Sequence, residues 1–127
     1  MKIFGVGTDI IRVSRVKNSL KNKLFVSRIF NNEEVSKCNK NLNRSNCFAK
    51  RFAAKEAFSK ALGTGIAKGI KFNEIVILNE KNGKPFIKLL NNTKKVVSKK
   101  IKKKKYKISL SIADEKNYAV AFVTISI

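Results

Sequence analysis

Histidine is absent from this 127-residue chain, and that absence removes a large share of familiar chemistry. Imidazole general bases and histidine-containing zinc sites are excluded. Cysteine occurs only at Cys38 and Cys47, a spacing that matches no zinc pattern. Two free thiols are therefore expected, and they suit a reducing compartment better than a disulfide framework does. No apolar run is long enough to span a membrane, and Asp9 interrupts the N-terminal stretch before it could serve as a signal peptide. The expected location is cytoplasmic, with no membrane partner. Carboxylates are also scarce, with eight Asp and Glu against 29 Lys and Arg, a net charge of +21.

Such a charge points to a polyanionic partner: nucleic acid, an acidic protein or a phosphorylated small molecule. Lysine outnumbers arginine 24 to 5, however, and Asn and Ile each occur 14 times, the skew that AT-rich coding produces by drift. Most of the excess is read that way. The densest run, 94–107, holds nine lysines but Tyr106 as its one aromatic. A nucleic-acid surface would use more arginine and interleave stacking rings, so no nucleic-acid partner is expected. With 43% hydrophobic residues and nine Phe, the chain can bury about two-thirds of its unfolded surface as one domain over 1–127.

The most informative stretch is Arg51-Phe-Ala-Ala-Lys-Glu-Ala-Phe-Ser-Lys60-Ala-Leu-Gly-Thr-Gly65. Helix formers run unbroken over about 47–62 and then stop at Gly63-Thr-Gly65. Apolar residues surround the helix axis, which predicts burial, yet the same segment carries Arg51, Lys55, Glu56 and Lys60. Buried charge is costly unless something binds it. Glu56 and Lys60 share a face beside Ala49 and Ala53, and small neighbours leave room for a partner to approach. That arrangement suggests a metal or phosphate site; the plainer alternative is an intrahelical ion pair at a solvated edge.

Residues 3–11 read as a strand with a glycine-eased segment around Asp9. A helix is expected over 11–26, another short one capped by Asn31 or Asn32 with Glu33 and Glu34 in its first turn, and a loop over 40–46. Strands at 70–78 and 85–90 flank Lys81-Asn-Gly-Lys84, a hairpin signal. A basic helix over 92–104 precedes alternation at Tyr106, Ile108, Leu110 and Ile112, a turn at 114–117 and a closing strand over 118–127. The fold class is α+β, a single domain with a long buried helix packed on a mainly antiparallel sheet.

Gly5-Val-Gly-Thr-Asp9, Arg51-Phe-Ala-Ala-Lys-Glu-Ala-Phe-Ser-Lys60, Gly63-Thr-Gly65, Asn82-Gly-Lys-Pro85 and the closing 109–123 segment occur in one order along the whole chain. In this the sequence resembles the holo-acyl-carrier-protein synthases, small 4′-phosphopantetheinyl transferases. The resemblance implies that fold, and transfer of the phosphopantetheine arm of coenzyme A to a serine of apo-acyl carrier protein in fatty acid synthesis, with release of adenosine 3′,5′-bisphosphate. It implies Mg²⁺ held by Asp9 and Glu56, with Glu56 and Lys60 as the catalytic pair and Lys60 as a clamp on the bridging phosphates. Coenzyme A would meet Arg51, Lys55, Lys60, Gly63, Gly65, Gly83 and Pro85. Arg51 or Lys55 would reach the 3′-phosphate or a neighbouring subunit. Arg12 and Arg15 follow the Asp9 segment; Arg15 would meet the acidic carrier protein, and Arg28 and Arg44 would add to the basic rim. A homotrimer with sites between subunits is also implied. One departure stands out: Ala113 occupies a position where the family usually has His. The serine proton would then go to water at the metal or to a carboxylate, Glu56 being the candidate.

Overall fold

A computed structural model of the chain describes residues 1–103 and 105–127. Strand β1 (Ile3–Arg12) leads into three short helices, α1 (Val13–Ser19), α2 (Lys23–Ile29) and α3 (Asn32–Asn39), and then the long α4 (Arg44–Leu62). A hairpin of β2 (Ile75–Asn79) and β3 (Pro85–Leu89) follows, then α5 (Asn91–Ile101), β4 (Lys107–Asp114) and β5 (Tyr118–Ser126). All strand pairs are antiparallel, in a three-stranded sheet ordered β1-β5-β4 and a separate two-stranded sheet β2-β3. This is the α+β arrangement expected, with one sheet divided into two.

Local signals account for most boundaries. Asn31 and Glu34 form a reciprocal capping box on α3, with Glu33 and Glu34 in its first turn as read from sequence. Gly63 closes α4 in the left-handed conformation, φ 90°, donating to Ser59 and Lys60 carbonyls. The expected 11–26 helix is in fact the end of β1 and two helices. Asn22 splits it, its side chain accepting from the Leu24 and Phe25 backbone N–H groups. The expected strand from residue 70 begins only at Ile75, because Phe72–Glu74 makes a 3₁₀ turn. Helix α4 starts inside the expected 40–46 loop. The basic helix ends at Ile101; the last position expected of it, Lys104, lies outside the described residues.

The core lies between α4 and the β1-β5-β4 sheet, where Phe48, Ala53, Ala54, Ala57 and Phe58 pack with Ala121, Val123 and Ile125. Along β1, Gly5, Gly7 and Asp9 share one face. A Cβ on Gly5 would collide with the Ala61 carbonyl, and one on Gly7 with that of Ala57. Two strand residues advance about 6.6 Å and four helix residues about 6 Å, so this glycine ladder keeps step with α4. Gly7→Val should therefore force β1 off α4 and lower stability by about 1–3 kcal/mol, read as a drop in the urea midpoint. An unchanged midpoint would contradict the close approach.

One expectation is overturned. Cys38 and Cys47 are joined in a disulfide, with Cα atoms 5.4 Å apart, and are not free thiols. Helix packing brings the end of α3 against the first turn of α4, a proximity that spacing along the chain does not reveal.

Candidate active site

The glycine ladder sets Asp9 one step beyond Gly7, over the helix segment that carries Glu56. Lys60 reaches across from α4, and its Nζ donates to Asp9 Oδ1 at 3.0 Å and to the Thr8 carbonyl at 3.0 Å. The ion pair is thus between strand and helix, not between Glu56 and Lys60 within the helix. Among the described residues Glu56 has no cation within ion-pair distance. Its carboxyl is half-buried and its pKa is raised, first by burial and then by the charge of Asp9, with Lys60 opposing. Two carboxylates close enough for each to feel the other's charge, with one lysine nearby and paired to Asp9, form a site short of positive charge.

No cluster of three or more Asp, Glu or Cys side chains able to hold a metal exists among the described residues. A cation held by Asp9 and Glu56 would complete its shell with water and ligand oxygens, the habit of Mg²⁺. The two residues supply hard oxygen donors and an electrostatic deficit, so they fit such an ion.

Other expected site residues lie elsewhere. Lys55 is a correction: its side chain is wholly buried, 0% exposed, and cannot meet coenzyme A. Its Nζ donates to Glu34 Oε1 at 2.7 Å, the Phe72 carbonyl at 2.8 Å and the Ile75 carbonyl at 2.6 Å, which uses all three protons. Burial holds its pKa down to about 8 although the Glu34 charge pulls it up. Arg51 is 5% exposed, with Nη1 donating to the Cys47 carbonyl and Sγ and Nη2 to Asn79 Oδ1. Its Nε is a buried donor left without a partner among the described residues. Burial, partly offset by Glu34, also lowers the Arg51 pKa.

Gly63 and Gly65 lie just past α4, with φ of 90° and 64° and open space where a side chain would stand. Gly83 has φ 93° in the β2–β3 turn, whose carbonyl is held by Asn79 Nδ2 at 2.9 Å, and Pro85 opens β3. Gly63 touches Lys60 through its backbone N–H, whereas among the described residues Gly83 and Pro85 make no hydrogen bond to Asp9, Glu56 or Lys60. Arg15 is exposed on α1, a short way past Asp9. Arg28 is exposed on α2; Arg44 lies over the Phe48 ring and Arg12 bonds the Tyr118 hydroxyl. Sequence reading missed Glu34 as the counter-charge of Lys55, Asn79 as the acceptor for Arg51, and Thr8 as the backbone partner of Lys60. The capping-box position of Glu34 was visible, but its second oxygen receives the Ile77 N–H, a contact made across the fold.

The comparisons agree with this fold. The model of the 4′-phosphopantetheinyl transferase superfamily matches residues 5–123. A holo-(acyl-carrier-protein) synthase of Pelagibacter ubique is 45% identical over 123 residues, 97% of this chain and 96% of that one. The crystal structure of the Neisseria meningitidis synthase superposes with TM-score 0.88 at 35% identity, covering 98% of this chain and 99% of that one. That of the Bacillus anthracis synthase, in complex with CoA (3′,5′-ADP), superposes at 0.81 with 34% identity, over 99% and 98%. With the Asp9–Lys60–Glu56 arrangement and the match along nearly its whole length, the chain belongs to the 4′-phosphopantetheinyl transferase superfamily, among its holo-(acyl-carrier-protein) synthases.

Proposed function

We propose that the chain transfers the 4′-phosphopantetheine group of coenzyme A to a serine of an apo-acyl carrier protein, dependent on Mg²⁺, releasing adenosine 3′,5′-bisphosphate in the cytoplasm. The observation that carries this reading is Glu56: a half-buried carboxylate, pushed toward its protonated form, facing Asp9 with no cation of its own. Such a pair is poised for a divalent ion, which when bound would neutralise charge spreading over the phosphate oxygens. Asp9 and Glu56 would hold it. Lys60 is half-exposed at the rim and already aimed at Asp9, so its ammonium can turn to a phosphate oxygen once a cation takes over the carboxylate.

Gly63 and Gly65 leave an open surface along which the pantetheine arm can lie. Gly83 and Pro85 are assigned to the adenine end; Arg51, 5% exposed with its Nε buried, would have to leave its bonds to Cys47 and Asn79 to meet the 3′-phosphate. Arg15, exposed beside the end of β1, is assigned to the acidic carrier protein, where opposite charge speeds encounter. Mass spectrometry of apo carrier protein with coenzyme A, with and without Mg²⁺, tests the reading. A gain of one phosphopantetheine arm that chelation abolishes is expected; no gain by well-folded protein would refute it.

Among the described residues the Gly83 turn makes no hydrogen bond to Asp9, Glu56 or Lys60, and a second copy is assigned to bring the two together, in a homotrimer. The outer face of the β1-β5-β4 sheet supports this. There Val6, Ile10, Val120 and Phe122 are 37–65% exposed, a contiguous apolar surface that single soluble chains rarely present. Ala113 pairs with Val120 on that same face, so the usual family histidine would project there too. Phe122→Asp should convert the assembly to monomers in sedimentation and reduce transfer at least tenfold, the scale of a central interface residue at about 2 kcal/mol. A variant still trimeric and active would count against this face as the interface.

A further inference from the structure

We infer that the Cys38–Cys47 pair is a thiol–disulfide switch that sets how tightly the chain holds the nucleotide end of coenzyme A. The inference rests on the assignment of the Gly83–Pro85 turn to that end. Cys38 ends the α3 core face and Cys47 opens that of α4, and both are buried, 0% and 2% exposed. Each helix then sends one cation to a common acceptor. Lys37, the neighbour of Cys38, donates through Nζ to Asn79 Oδ1 at 2.8 Å. Arg51, one turn beyond Cys47, donates through Nη2 to the same oxygen at 3.1 Å, while its Nη1 touches Cys47 Sγ at 3.3 Å. The other end of that amide, Asn79 Nδ2, holds the Gly83 carbonyl.

Two like charges converging on one oxygen repel, and Lys37 carries a lowered pKa from its burial, with Arg51 and then Lys50 adding to it. The covalent link between the helices holds this crowded arrangement together. In a reducing compartment, where the proposed cytoplasmic location would put this chain, a disulfide is seldom a permanent staple; where one occurs it is usually transient, catalytic or redox-sensing. Reduction by a dithiol moves two electrons and two protons to the pair: the Cys38–Cys47 bond breaks, two thiols form, and the dithiol closes into its own disulfide. The last turn of α3 is then free to carry Lys37 away from Asn79, and the turn at Gly83 loses order.

The test compares the full protein after mild oxidation and after incubation with excess dithiol. Free thiols are counted on denatured samples, and KM for coenzyme A, KM for carrier protein and kcat are measured in each state. The expected result is no thiols and a low KM for coenzyme A when oxidised. Reduction should expose two thiols and raise that KM about three- to tenfold, the worth of one hydrogen bond, with kcat and carrier-protein KM unchanged. A Cys38→Ser/Cys47→Ser variant should behave as the reduced protein and ignore dithiol. Equal KM values in two samples that differ by two thiols would overturn the switch alone, and so would thiols that mild oxidation cannot pair. Loss of coenzyme A binding in both states would overturn the functional reading, and the switch with it.

Discussion

Glu56→Gln should reduce phosphopantetheine transfer by about 10²–10³-fold, the loss seen when one preorganised electrostatic group is removed from a reacting centre, and yet leave the fold as stable or more so. The two halves of this expectation have one cause. The Glu56 carboxyl is harder to ionise in the fold than in solution because it is half-buried and faces Asp9. A carboxylate with a raised folded pKa costs stability wherever it is ionised. The cost is absent below the unfolded pKa, grows as pH rises to the folded pKa, and persists above it. A neutral amide of the same shape removes that cost at neutral pH while discarding the charge a cation needs. Rates by mass spectrometry at saturating Mg²⁺, beside thermal melts without metal, separate the two. A variant with the parental rate would remove Glu56 from the site. One that melted far below the parent would show its charge to be structural.

The second large effect is expected at Lys55. Lys55→Met fills similar volume but strands the Glu34 carboxylate, which is 0% exposed, and leaves the Phe72 and Ile75 carbonyls without their donor. Breaking one side of a buried ion pair costs about 3–5 kcal/mol because the remaining charge stays desolvated. Urea denaturation should show that loss. A double variant that also carries Glu34→Gln should recover part of it, since the carboxylate stranded by the first change is then neutral. A loss below about 1 kcal/mol would mean that Glu34 finds water or another partner. The coenzyme A affinity of the folded Lys55 variant should change little, which distinguishes a structural lysine from the ligand that the family resemblance implied.

How much of the site was legible depended on how local its causes are. Asp9 was named through the family resemblance, and Glu56 stood out as the one acid on a helix whose apolar residues surround its axis. Lys60 stood out by its spacing from Glu56, although its partner in the fold is Asp9. The roles of Arg51 and Lys55 were not legible. Both lie on a helix that is apolar all round, so its pattern has no preferred direction to say which charge meets solvent and which meets the interior. Nor was the disulfide legible, since a nine-residue separation is compatible with either bonded or free thiols.

By itself the sequence determined the pieces whose physics is local: the capped α3, the Gly63 stop of α4, the Asn82-Gly83 turn between β2 and β3, and the alternation of β4. In each, a side chain or a positive φ acts within a few residues of itself. Only the tertiary structure decided the pairings between distant segments. It brought Gly5 and Gly7 against the α4 backbone, Glu34 to Lys55, and Cys38 to Cys47, and it divided the strands into two sheets. Those contacts depend on how buried surfaces fit and on which charges can be satisfied once water is gone, and neither is encoded in any short stretch of residues.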